Sequence, residues 1–382
     1  MNPRFYSLDV FRGATVALMI LVNTPGSWNY VYSPLRHAPW HGITPTDLVF
    51  PFFLFAVGNA MAFVMPRLRD GGAGLFWKKV LKRTLLIFTI GLLLNWFPFF
   101  KYNEEGNLLA KSLTDLRILG VLQRIALCYG FASVIIYYGK TKWAFVTGLI
   151  ILLLYWALCY VLGNPADPYS LDGFTGTAID KAVLGESHMY HGEGVAFDPE
   201  GILSTAPAVV QVIFGYLVGE YIIKKGKTFE MLSNLFVAAA ILIFTGFCWD
   251  MVFPINKKIW TSSYVVYTTG LAMMVLGVMM HLIEFKNHKG WWSRFFDVFG
   301  KNPLFIYVLS GAWARLYGLF SIEDGMKDGK PVFKNLGGWI YDHLFATAFG
   351  NMNGSLLYAI FHIIIFWLIC LWLDKRRIYI KV

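Results

Sequence analysis

Charge is scarce in this chain. Asp, Glu, Lys and Arg make up 15% of its 382 residues, too few to cover the surface of a soluble protein of that length. Cysteine is scarce as well: Cys128, Cys159, Cys248 and Cys370 lie scattered within or at the edges of apolar segments and form no CxxC pair, a pattern of small packing residues rather than of metal or redox chemistry. No phosphate-binding glycine loop is present, since GGAG at 71–74 lacks both a preceding strand and the required spacing. The run HMYHGE, with His188, His191 and Glu193, lacks the i, i+4 spacing of helical zinc motifs, so no metal is expected. Internal repeats and low-complexity segments are absent, which counts against carriers built from duplicated halves.

What fills the chain is apolar sequence. Hydrophobic residues make up 57%, aromatic residues 18%, and the mean hydropathy is +0.54, the values of a polytopic membrane protein. About ten segments are long enough to cross a bilayer, near 6–27, 47–66, 79–100, 115–138, 143–163, 202–223, 229–250, 262–284, 297–318 and 354–373. Arg4 and Arg12 before ATVALMILV imitate a signal peptide, but Asp9 and Arg12 interrupt the apolar run and no small-x-small site follows, so an uncleaved first helix is expected. The formal charge of +10 raises the question of nucleic acid. Its placement answers it: 20 of the 33 Lys and Arg, from Arg67, Arg69 and Lys78 through Lys224 and Lys225 to Arg377 and Lys381, fall at the ends of segments that would share one side, the bias of cytoplasmic loops. Both termini are then cytoplasmic, and the less basic loops 28–46, 101–114, 164–201, 251–261 and 319–353 face outward. In the last of these, NLGGWIYDHLFATAFG reads as an interfacial helix.

The most informative stretch is LRHAPWHGITPTDLVFPFFLFAVG, Leu35–Gly58. It sets His37, His41 and Asp47 directly against a membrane segment, where ionisable groups are costly and usually functional. A carboxylate ten residues from an imidazole can fix its tautomer and stabilise its charged form. Asn23 closes the first segment, Asp47 opens the second, and Pro34, Pro39 and Pro45 stiffen the loop between them. Asp47 would also serve as an acidic residue at a helix N-terminus.

Several motifs share an order along the chain: SLDVFRG from Ser7, HAPWHGITPTDLVFPFFLFAVG from His37, GVLQRIALCYG from Gly120, FDPEGILST from Phe197, FPINKKIWTSSYVVYTTG from Phe253 and GKNPLFIY from Gly300. Together with Asn23 they resemble the heparan-alpha-glucosaminide N-acetyltransferase family. The resemblance implies acetyl transfer across a membrane, from cytoplasmic acetyl-CoA to the amine of a glucosamine-type sugar on the far side. It places the essential histidine at His37, its aspartate at Asp47 and an asparagine at Asn23. A neutral imidazole can take the proton that an ammonium must lose before it attacks a thioester, and Asn23 can donate to the thioester oxygen. An acetyl-histidine intermediate would use the same residues; direct transfer in a ternary complex is preferred because one histidine and one acid suffice.

Other residues follow from the same expectation. Arg124, placed about nine residues into the fourth segment, needs a partner in the bilayer, either Asp9 or Asp115 or the pantetheine or phosphates of CoA. Lys301, Asn302 and Arg12 stand where CoA phosphates would enter, although snorkelling explains basic residues there equally. Asp198 and Glu200 are candidates for the acceptor sugar or caps of the following helix. Lys257, Trp260 and Tyr264 are acceptor candidates or interface anchors.

The expectation is therefore a single transmembrane domain, 1–382, an all-α polytopic bundle of about ten helices, with outward loops 28–46, 164–201 and 319–353 covering a polar pocket around His37. It would work in the bacterial inner membrane as an acetyltransferase using acetyl-CoA as co-substrate. Its partners would be an amino sugar or glucosamine-terminated oligosaccharide and the lipid bilayer, without nucleic acid, and its aromatic outer faces would suit a homodimer. An amino-sugar transporter and an acyltransferase acting on a cell-envelope glycan are the alternatives.

Overall fold

The computed structural model describes residues 5–102, 107–327 and 330–380; Arg4 and Lys381, two of the topology-marking basic residues, lie outside them. The long helices are α1 (Tyr6–Asn23), α2 (Val49–Asp70), α3 (Gly72–Trp96), α4 (Val121–Leu162), α6 (Ile202–Lys225), α7 (Phe229–Asp250), α8 (Ser262–Met280) and α13 (Asn351–Lys375). Between them lie the shorter α5 (Thr175–Leu184), α9 (Trp291–Gly300), α10 (Pro303–Tyr317), α11 (Leu336–Ile340) and α12 (Thr347–Phe349). Among the described residues, seven helices are long and apolar enough to cross a membrane.

Two expected segments are redrawn by local chemistry. The segment expected at 297–318 is two helices, because Pro303 opens α10 and Asn302 before it leaves the helical region (φ −132, ψ 48), as a proline requires of its predecessor. The segment expected from 115 starts only at Val121. Asn95 explains the delay: its amide nitrogen donates to the carbonyls of Arg117 (3.0 Å) and Leu119 (3.4 Å), taking acceptors that a helix would have used. Arg124 consequently sits one turn from the start of α4 rather than about nine residues into the segment. The 42-residue α4 breaks at Lys140, whose backbone is left-handed (φ 53), dividing it where the charged GKTK run falls.

Two short antiparallel hairpins were not anticipated: β1 (Phe100–Tyr102) with β2 (Leu108–Ala110), and β3 (Ser321–Lys327) with β4 (Lys330–Asn335). The second has the strands SIEDGMK and KPVFKN, which lie in the 319–353 stretch read as loop. It is tied to the turn after α11 by Lys334, which reaches Asp324 at 2.5 Å and Asp342 at 2.8 Å.

Close backbone approach explains the glycines of three motifs, SLDVFRG, HAPWHGITPTDLVFPFFLFAVG and GKNPLFIY. A Cβ on Gly13 would lie 1.7 Å from the Phe296 carbonyl oxygen, and one on Gly300 2.2 Å from the Asp9 oxygen; α1 and α9 touch there with no room for a side chain. Gly58 and Gly215 do the same for α2 and α6, at 2.1 Å from the Val212 oxygen and 2.2 Å from the Phe55 oxygen. Small residues at such crossings permit the van der Waals contact that holds membrane helices together. α1 and α2 also lie against each other, and this seam has Arg12 toward one end and Asn23, His37 and Asp47 at the other.

Candidate active site

The loop that follows α1 returns to α2 through a 3₁₀ turn, Pro45–Leu48, and the side chain of Asp47 organises it. Thr44 and Asp47 form a capping box: one carboxylate oxygen accepts the Thr44 N–H at 3.1 Å, its hydroxyl at 3.0 Å and the Ala38 N–H at 3.0 Å. The other oxygen meets His37 Nδ1 at 2.6 Å. Asp47 is 1% exposed, and burial of a carboxylate is tolerable only with donors of this number and quality. Asp47 thus both caps the 3₁₀ turn and holds the His37 ring.

The 2.6 Å contact requires a proton between Nδ1 and the carboxylate, which fixes the tautomer and leaves Nε2 as the basic nitrogen. Lys257 approaches from the far part of the chain, with Nζ 3.1 Å from Nδ1 and 3.5 Å from Asp47. Since Nδ1 already carries its proton, Lys257 acts as a cation set beside the pair and not as a second donor to the ring. Burial draws its ammonium pKa down, against the upward pull of Asp47 and Glu200. His41 turns away toward Asn256, whose amide lies 3.4 Å from its Nδ1, and burial lowers its pKa as well.

The His37 side chain is 40% exposed, on the wall of a cavity of about 360 Å³. Asn23, Glu200 and Lys257 share that wall, with Tyr307 and Arg315 opposite on α10. The Asn23 side chain is exposed and makes no hydrogen bond to the described residues. Four of the sequence candidates thus converge on one space. Tyr307 closes the GKNPLFIY motif but was not singled out as a site residue, and Arg315 had no signal in the sequence beyond lying on an apolar helix.

The remaining candidates are placed elsewhere. Trp260 is 1% exposed and lies one layer behind the wall, its ring edge-on to Phe50 at 5.0 Å and Tyr264 at 5.2 Å. Its φ of +50 is unusual for a bulky residue. Tyr264 donates from its hydroxyl to the Asp47 carbonyl at 2.5 Å, so this aromatic group supports the turn that holds the dyad. Asp198 is locked in a forked pair with Arg117 at 2.7 and 3.0 Å, and Arg117 also reaches Glu200 at 2.5 Å. Burial opposes charge on Arg117, but Glu200 and Asp198 override it and hold the guanidinium charged more firmly than usual. Neither Asp9 nor Asp115 is a recorded partner of Arg124: it is fully buried, donating to the Gly201 carbonyl at 3.1 Å and to Ser204, with its plane 5.2 Å from the Trp260 ring. The arginine that pairs with acids is Arg117, seven residues earlier.

At the opposite end of the seam, a cavity of about 950 Å³ is lined by Arg12, Lys289, Arg294 and Lys301. Arg12 donates to the Gly300 carbonyl and to Asp9, both at 2.7 Å. Lys301 lies 2.9 Å from both Asp297 and Asp374. Asn302 is fully buried and uses its amide on the tail, donating to the Ile378 carbonyl at 3.1 Å and accepting the Ile380 N–H at 2.7 Å.

Residues 4–176 match the family described as heparan-alpha-glucosaminide N-acetyltransferase, catalytic. Among curated proteins the chain is 28% identical over 364 residues to heparan-alpha-glucosaminide N-acetyltransferase of Homo sapiens, covering 81% of this chain and 53% of that protein. The Mus musculus protein of the same name is 27% identical over 359 residues, covering 80% and 53%. The chain spans about half the length of these relatives. The matched region holds Asn23, His37, Asp47, Arg12 and Arg124, whereas Lys257 and Glu200 lie beyond 176.

Proposed function

We propose, from the chain's kinship with the heparan-alpha-glucosaminide N-acetyltransferase family, that it is a transmembrane N-acetyltransferase moving acetyl from cytoplasmic acetyl-CoA to the amine of a glucosamine-type sugar on the periplasmic side. The observation that carries the reading is the buried Asp47 holding His37 so that its basic nitrogen faces a cavity shared with Asn23, Glu200 and Lys257.

In this reading the chain crosses the inner membrane ten times, by α1, α2, α3, the two halves of α4, α6, α7, α8, α10 and α13. The basic residues at the Arg12 end mark the cytoplasm. The acceptor ammonium gives one proton to His37 Nε2, which releases it to solvent; the freed amine attacks the thioester carbon, and as the C–S bond breaks the nitrogen loses its second proton through His37 to the departing CoA thiolate, leaving amide and CoA thiol. The Asp47 carboxylate stabilises the imidazolium formed on the way. Asn23, with its amide uncommitted, donates to the oxygen that becomes negative. Glu200, fixed by Arg117, receives the acceptor ammonium or a hydroxyl. Direct attack by His37 on the thioester would use the same geometry.

CoA phosphates suit the Arg12 cavity, whose lining supplies four cationic side chains. Met19, on the His37 cavity wall, is seven residues along α1 from Arg12, a distance of roughly 10 Å at helical rise. An extended pantetheine lying along the seam would join the two cavities. Asn302, Asp198, Trp260 and Arg124 act in this scheme by holding walls rather than by touching substrate.

The test is release of CoA thiol by purified protein given acetyl-CoA and glucosamine, beside His37→Ala. Sugar-dependent release that drops by ~10²- to 10⁴-fold in the variant supports the base assignment. Uptake of the sugar into vesicles without acetyl-CoA, and no thiol release, would replace the enzyme with a carrier.

A further inference from the structure

Lys257 holds a place in the His37 cavity that acetyl transfer to a sugar leaves without a chemical step. Among the described residues lining that cavity it supplies the one primary amine. Its Nζ lies 3.1 Å from His37 Nδ1 and 3.5 Å from Asp47 Oδ1, and 23% of the side chain is exposed, so the nitrogen is open to a molecule in the cavity. The next residue, Lys258, provides the contrast. Its Nζ is committed to the Pro39 carbonyl at 2.7 Å and to Glu193 at 2.6 Å, and it stands outside the cavity lining.

An ammonium has no lone pair, and a lysine becomes a nucleophile where its surroundings favour the neutral amine. The Asp47 oxygens are already taken up by His37, Ala38 and Thr44, which leaves Lys257 a long contact instead of a close ion pair. Burial meanwhile lowers its ammonium pKa. A cavity that brings a thioester to His37 brings it to this amine as well, and the amine is tethered where the acceptor nitrogen must arrive.

We infer that Lys257 is a self-acetylation site, which takes the acetyl group when acetyl-CoA is bound and no acceptor is present. The inference rests on the acetyl-transfer reading of the His37 cavity and adds a covalent modification to it. The Lys257 ammonium first gives one proton to solvent. The neutral nitrogen then bonds to the acetyl carbon, the C–S bond breaks with its electron pair on sulfur, and the second proton passes from nitrogen to the CoA thiolate, leaving Nε-acetyl-lysine and CoA thiol. An amide is too stable to hand the acetyl group on to another amine. The event therefore ends turnover: it removes the cation beside the His37–Asp47 pair and leaves an acetamide in the cavity.

The experiment incubates purified protein with acetyl-CoA, with and without glucosamine, maps acetylated residues by peptide mass spectrometry, and then measures glucosamine-dependent thiol release. Without glucosamine, Lys257 should acquire acetyl about tenfold or more faster than Lys258, the advantage of an amine held at the transfer site, and later activity should fall in step. Glucosamine should slow both changes. Lys257→Arg keeps a cation but offers no amine that can be acetylated, so its activity after incubation, divided by its own activity before, should stay near one. Acetylation of Lys257 no faster than of Lys258, acetyl found on a histidine alone, or equal decay of activity in wild type and Lys257→Arg overturns the inference, while sugar-dependent thiol release leaves the His37 assignment standing. Neither thiol release nor protein acetylation removes both together.

Discussion

The two ends of the α1–α2 seam settle their charges in opposite ways. At the His37 end, four hydrogen bonds and the Lys257 ammonium converge on a single buried carboxylate, and His37 Nε2 and the Asn23 amide, on residues that line the cavity, have no hydrogen-bond partner among the described residues. At the Arg12 end the cations are shared out among acids: Lys301 between Asp297 and Asp374, Arg294 on Asp374, Arg12 on Asp9 and a carbonyl. In the proposed reaction the first arrangement would prepare one atom to react, and the second would hold several cations in place for phosphates without committing any group to chemistry.

Replacing the anchor should break this contrast most severely. Asp47→Asn leaves His37 without its anion and the Thr44, Ala38 and Lys257 donors with a weaker acceptor. We expect kcat to fall by at least ~10²-fold and the protein to lose about 2–3 kcal/mol, the cost of breaking a buried charged network. His37→Ala, at a side chain 40% exposed, should cost as much activity with little change in unfolding temperature. Equal thermal losses in the two variants would mean that the dyad is structural.

A smaller effect is expected at the other end. Arg12→Gln and Lys301→Gln should each raise the KM for acetyl-CoA by about tenfold, one charge-assisted contact, and leave kcat nearly unchanged. Steady-state kinetics at two salt concentrations would check this, since phosphate contacts at an open cavity weaken with salt. A fall in kcat at constant KM would place these residues in the helix crossing at Gly13 and Gly300 instead.

The smallest effect sharpens the meaning of donor number. Asp180, also at the His37 end, is 1% exposed but has a single recorded donor, the Ile202 N–H at 2.8 Å, and burial raises its pKa to about 6. A carboxyl that holds its proton more tightly when folded makes the fold less stable as pH rises, through the window from about 4 to about 6, by at most about 3 kcal/mol. Asp180→Asn should flatten that part of the stability profile, measured by thermal unfolding between pH 4.5 and 7.5. An unchanged profile would show that Asp180 keeps its charge in the fold.

Much of this was legible in the residues. His37 and Asp47 are ten positions apart in a proline-stiffened loop, so their contact is local and the capping box that enforces it is written in TPTD. The break at Lys301–Asn302 was also signalled, by the proline after it, but mean hydropathy over GKNPLFIY outweighed that signal in reading one continuous helix. Arg124 was expected to pair with Asp9, Asp115 or CoA, while Arg117 was not singled out. What separates them is Asn95, on a different helix, whose side chain unwinds 117–120 and turns Arg117 toward Asp198.

By itself the sequence determined which segments are apolar enough to enter a bilayer, which ends carry the basic residues, and that one histidine and one aspartate would meet, because hydropathy, charge and short loops act over neighbouring positions. Only the tertiary structure decided that Lys257 stands against a histidine 220 residues away and that Glu200, Tyr307 and Arg315 close the same cavity. Those contacts depend on how helices cross, and the crossings are set by glycines whose spacing gives no hint of which backbone will lie against them.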